Sequence, residues 1–68
     1  MSYTVLFKGP KTDDNRGVTV LSVEAGGTGR DFPLGVKVED VPESVVKELR
    51  KRVSADDYDY EVSEKSDR

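Results

Sequence analysis

Histidine and cysteine are both missing from this chain, and so are tryptophan and isoleucine. Without imidazole or thiol there is no Cys or His nucleophile or base, no disulfide and no zinc site of the Cys/His type. Apolar residues are scarce, at 34%, and the longest uncharged apolar stretch is a few residues. A membrane span needs ~20, so none is expected. Met1 to Phe7 lacks the basic n-region and long apolar core of a secretory leader, which points to folding in a cytoplasm. With 68 residues, one compact domain is the upper limit, since a chain near this size buries only ~60% of its unfolded surface. A net charge of -3 and a pI near 4.8 make the surface anionic, which repels nucleic acid unless the cations gather on one face. The absences favour a binding or structural part over a catalyst, with no cofactor.

What is present is rich in valine, which supplies eleven of the 23 apolar residues and favours strands. Tyr3, Val5 and Phe7 alternate with Thr4, Leu6 and Lys8 in a first strand that Gly9-Pro10 is expected to end. Apolar residues on both of its faces suggest cover on two sides. Lys11 to Gly17 reads as a loop, and Val18 to Val23 as a second strand whose phase shifts at Val20-Leu21. Ala25-Gly26-Gly27-Thr28-Gly29-Arg30-Asp31 reads as a wide, flexible hairpin loop. Phe32, Leu34, Val36 and Val38 then share one face of a third strand.

Asp40-Val41-Pro42-Glu43 marks the start of a helix, with Pro42 pre-set for the first turn and Glu43 at the positive end of the dipole. The helix runs to about Arg52, with Val45, Val46, Leu49 and Val53 as its apolar stripe. Tyr58, Tyr60 and Val62 alternate with Asp59 and Glu61 in a closing strand. The expected fold is α+β: a small curled antiparallel sheet, order β-β-β-α-β, with one short helix. Residues 1–62 form the domain, and 63–68 a flexible polar tail.

Four signals bear on function. Gly26-Gly27-Thr28-Gly29-Arg30 has the glycines of a phosphate loop, but the sequence after it leads into a strand, not a helix. Asp13-Asp14-Asn15 and Asp56-Asp57-Asp59 lack the ligand spacing of a calcium loop and any apolar surroundings that would raise a carboxyl pKa. Lys47, Arg50, Lys51 and Arg52 make a basic helix face, which also complements the dipole and the i,i+4 partners Glu43 and Glu48. Tyr58 and Tyr60 follow it, interleaved with carboxylates that argue against nucleic acid and for a protein partner.

Taken together, Phe7-Lys8-Gly9-Pro10, Phe32-Pro33-Leu34-Gly35, Val38-Glu39-Asp40-Val41-Pro42, Val45-Val46-Lys47-Glu48-Leu49 and Tyr60-Glu61-Val62 resemble small proteins of tailed bacteriophages encoded among capsid, connector and tail genes. The resemblance spans roughly residues 5 to 62. It departs from the pattern at the long Gly-rich stretch 25–31 and the acidic connection 53–58. The resemblance implies a non-enzymatic structural role at the virion, as a minor capsid, decoration or head–tail component made in the host cytoplasm. Its partners would be capsid or head–tail proteins, engaged in many copies, so that weak contacts add by avidity. The candidate partner-binding residues are Arg30 and Asp31 in the loop, Lys47, Arg50 and Lys51 on the helix, and Tyr58 as an aromatic anchor. The adaptable contacts would come from the Gly-rich loop, the loop 11–17 and the tail. A second reading is a small acidic regulator or inhibitor that places Asp56, Asp57, Asp59 and Glu61 in the basic groove of a host protein.

Overall fold

The computed structural model describes residues 2–65. It is α+β, with five strands and one helix in the order β1 (Ser2–Pro10), β2 (Val20–Ala25), β3 (Thr28–Pro33), β4 (Lys37–Pro42), α1 (Glu43–Arg52) and β5 (Tyr58–Lys65). A short 3-10 turn at Asp13–Asn15 lies between β1 and β2. The strands form two antiparallel sheets rather than one: β4-β1-β5, and the hairpin β2-β3. The strand expected over Phe32 to Glu39 is split. Gly35 adopts φ +77°, its N–H donates to Phe7 O, and Val36 N–H donates to Pro33 O. That turn sends the chain out of the hairpin and into the three-stranded sheet, so four strands precede the helix.

The turn at Gly35 breaks the burial that the alternation predicts at two positions, Leu34 and Val36, while Val38 packs on the core as expected. Phe32 is fully buried, but Leu34 and Val36 are 45% and 47% exposed. In β2 the phase is single: Leu21 and Val23 face the core, and Val20 is left 45% exposed. β1 is covered on one face only, by way of Val5 and Phe7, while Leu6 is half-buried on the other. β1 ends at Gly9-Pro10, as expected, and both residues still pair within it. Lys8 forms a bulge against β5, and pairing resumes at Gly9 with Asp59 and Pro10 with Tyr58. Gly9 has φ +132° there, a backbone that only glycine adopts at low cost.

The Gly-rich stretch is a tight hairpin. Ala25 pairs with Thr28, leaving Gly26 and Gly27 as the two turn residues, both at positive φ, as a type I′ turn requires. Gly29, Arg30 and Asp31 belong to β3 and pair with Glu24, Val23 and Ser22. Loop 11–17 is also held. Lys11 N–H donates to Asp57 O at 2.7 Å and Asn15 N–H to Thr12 O at 3.1 Å.

The helix spans Glu43–Arg52, as its periodicity predicts, and buries Val45, Val46 and Leu49. Pro42 sits at its N-cap, one position ahead of the first helical residue, with no side-chain cap. Ten residues are too few for a helix to persist alone in water. Its stripe docks against both sheets in a core of nine apolar side chains: Val5, Phe7, Leu21, Val23, Phe32, Val41, Val45, Val46 and Leu49. The inner row of β5, Tyr58, Tyr60 and Val62, packs on that core half-buried. β5 continues through Lys65, pairing residues 63–65 with Thr4, Tyr3 and Ser2. The rest of the expected tail, 66–68, lies outside the described residues.

Candidate functional site

No polar or charged side chain is buried among the described residues, and no group of three or more Asp or Glu among them could hold a metal ion. The polar and charged side chains among these residues therefore reach the surface, where three features stand out.

The first is a shallow groove of about 430 Å³ lined by Ser22, Glu24, Gly29, Arg30, Asp31 and Arg52, over Val23. The hairpin register puts Arg30 opposite Val23 and Asp31 opposite Ser22, and the C-terminal turn of α1 closes one side with Arg52. Arg52 is ion-paired to Glu48 one turn earlier, while the Arg30 guanidinium donates to Gly29 O at 2.9 Å. The groove thus brings together two of the predicted residues, Arg30 and Asp31, with an arginine of the basic helix.

Lys47, Arg50 and Lys51 are exposed on α1, away from its buried stripe. Lys47 Nζ lies 3.9 Å from a Glu43 carboxylate oxygen, a weak surface pair. Tyr58 is not available as a free anchor. Its ring meets Phe7 edge-on at 6.2 Å, and its hydroxyl donates to Asn15 Oδ1 at 3.0 Å. Asn15 Nδ2 in turn donates to Thr12 Oγ1 at 2.7 Å. Tyr58 therefore ties loop 11–17 to the core. Tyr60 acts similarly, its hydroxyl donating to Val53 O at 3.1 Å.

The second feature is a set of residues that the alternation pattern hides. Val20, Pro33, Leu34 and Val36 are all exposed around the link between the two sheets: Val20 pairs with Pro33, and Leu34 N–H donates to Thr19 O at 2.9 Å. Gly35, in the middle of the apparent strand, is the signal that this run turns.

On the outer face of the three-stranded sheet, Thr4, Leu6, Lys37, Glu39, Glu61 and Ser63 line a smaller groove of about 290 Å³. Lys8 donates to Glu61 at 2.6 Å there. The Glu61 hydrogen bond and charge raise the Lys8 pKa above its ordinary value, and the same contact lowers that of Glu61. Both groups are solvent-exposed, so this is an exposed surface pair and not a poised acid or base. Comparison of the chain with protein-family models, with curated proteins and with solved structures returns no match to any of them.

Proposed function

We propose that this chain is a non-enzymatic structural protein of a bacteriophage virion, a minor capsid, decoration or head–tail component that docks on a larger protein assembly. The observation that carries this reading is the placement of Val20, Leu34 and Val36. Beside nine buried apolar residues among those described, three more large ones stand nearly half exposed around one connection. Apolar side chains gathered in this way suit burial against a partner. The charged groups nearby, Arg30 and Asp31 in the groove and Lys47, Arg50 and Lys51 on the helix, supply polar contacts at the rim of such an interface.

The virion is suggested by the resemblance between residues 5 and 62, whose Val-Pro-Glu start leads into α1 and whose Tyr60-Glu61-Val62 lies in β5. Two variants test the reading, one with Val20, Leu34 and Val36 changed to Thr or Ser, the other with Arg30, Asp31, Lys47, Arg50 and Lys51 neutralised. Tyr58 is left alone because it holds the fold. The expected result is that wild type co-purifies with particles and each variant is depleted. Unchanged co-purification of both variants overturns this docking map, and absence of the wild type from particles overturns the virion itself.

The regulator reading has its own support in the exposed carboxylates Asp56, Asp59 and Glu61 and the half-buried Asp57. Recovery of one stoichiometric basic host enzyme by pull-down would favour it. Recovery with capsid or tail proteins alone would count against it.

A further inference from the structure

The three-stranded sheet has two outer strands, β4 and β5, and one of these edges is blunted. β4 is interrupted by a bulge between Val38 and Val41, where Asp40 adopts φ +60°, and it ends in Pro42. Bulges and prolines are the devices by which sheets discourage edge pairing. β5 has neither. It pairs only with β1 among the described residues, it contains no proline or glycine, and the bulge in the β1–β5 ladder lies on the β1 side, at Lys8. The Tyr58 N–H is already used by Ser54 O, and main-chain groups alternate sides along an antiparallel strand, so the open edge begins at Tyr60 and is carried by Tyr60, Val62 and Glu64.

The side chains along this edge define what could join it. Asp59 and Glu61 point to the outer face, with Asp56 and Asp57 in the preceding turn and Glu64 near the far end. The cations near them are Lys8, paired to Glu61, Lys37, which lines the same groove as Glu61, and Lys11, whose ammonium donates to Ala55 O. Carboxylates remain in excess. A second copy paired antiparallel on this edge would bring two such acidic rows alongside each other, and like charges across strands are unfavourable. On the inner face Tyr60 and Val62 are only half-buried, with apolar rims left for a neighbour.

We infer that the free edge of β5 receives an extended basic segment of a partner protein as an added strand, with Lys or Arg beside Asp59 and Glu61 and apolar residues against Tyr60 and Val62. Main-chain hydrogen bonds would supply the pairing, and the alternating side chains its selectivity. The inference rests on the chain being a docking protein, and it specifies the partner's chemistry. It does not depend on that partner belonging to a virion.

The test uses the whole protein and an acetylated, amidated peptide of alternating Lys and Val, followed by amide hydrogen exchange and NMR shifts. The expected result is slowed exchange at Tyr60, Val62 and Glu64, binding that weakens with salt, and little response to an alternating Glu and Val peptide. Asp59→Lys, at an exposed position outside the core, should weaken binding roughly three- to tenfold. Three results would overturn the inference: no protection on β5 with the basic peptide up to about 1 mM, equal binding of the acidic peptide, or indifference to Asp59→Lys. Failure to find the protein in particles would sink the virion reading and leave this result standing.

Discussion

Replacing Gly9 with alanine isolates one backbone contribution to the fold. Gly9 is buried in β1 with φ +132°, just after the Lys8 bulge that aligns the rest of β1 with β5. An added Cβ would lie 3.4 Å from Leu34 Cδ1, so space is tight but not the main problem. The backbone is. Holding an L-residue in this region costs about 1–3 kcal/mol, and the stiffer unfolded chain gives back about 0.4–1 kcal/mol. The net loss is about 1–2 kcal/mol, out of the roughly 3–10 kcal/mol expected for a chain of this length. At ~4–8 °C per kcal/mol for a domain this small, the melting midpoint should fall by roughly 5–15 °C in circular dichroism or calorimetry. Gly17 provides the control. It is exposed, its φ is not positive and a Cβ there meets nothing within 4 Å, so Gly17→Ala should be neutral or stabilising by up to about 1 kcal/mol. If Gly9→Ala melted at or above wild type, the bulge and the positive φ would be wrong.

Three further outcomes follow from the same geometry. Asp40, at φ +60° in the β4 bulge, should tolerate Gly or Asn within about 0.5 kcal/mol, whereas Asp40→Val should cost about 1–2 kcal/mol by urea unfolding. Tyr58→Phe keeps the ring against Phe7 but removes the hydrogen bond to Asn15, a loss of about 0.5–1.5 kcal/mol; exchange in loop 11–17 should speed up while the core stays protected. For Lys8–Glu61, the lowered Glu61 pKa means its contribution is present at neutral pH and is lost as pH falls below 4.5, the ordinary value, through the folded one. The raised Lys8 pKa means its contribution persists up to 10.5 and is lost as pH rises through the higher folded value. Lys8→Gln should move the Glu61 NMR titration midpoint back up toward 4.5, and an unmoved midpoint would contradict the pair.

Local chemistry was legible in the sequence wherever a residue's role depends on near neighbours in the chain. The helix spans Glu43–Arg52 because Val45, Val46 and Leu49 repeat at helical spacing after Pro42. The inner row Tyr58, Tyr60 and Val62 packs on the core because a half-covered strand alternates. What the pattern could not carry is pairing between distant segments. Phe32, Leu34, Val36 and Val38 alternate without a fault, yet Gly35 turns the chain from one sheet to the other, so Leu34 and Val36 are left in solvent. Gly9-Pro10 has the composition of a stop and does end β1, but the bulge at Lys8 and the pairing of both residues with β5 depend on a segment far away in the chain. Glycine marks all these places, but whether it means a loop, a turn or a bulge depends on what lies opposite.

The candidate site divides along the same line. Arg30 and Asp31, expected at a flexible loop tip, are fixed in β3 and line a groove with Arg52, a residue whose part there depends on α1 packing beside the hairpin. Lys47, Arg50 and Lys51 are exposed as a helical face predicts. Tyr58 has the composition of an interface anchor, but Phe7 and Asn15, far from it in sequence, engage its ring and hydroxyl.

We propose that this small domain is one part of a larger protein assembly, a virion. Quantitative mass spectrometry of density-purified particles from cells that make the chain tests it directly. The expected result is the protein at several copies per particle. Its absence from particles, while abundant in the same lysate, would overturn the proposal.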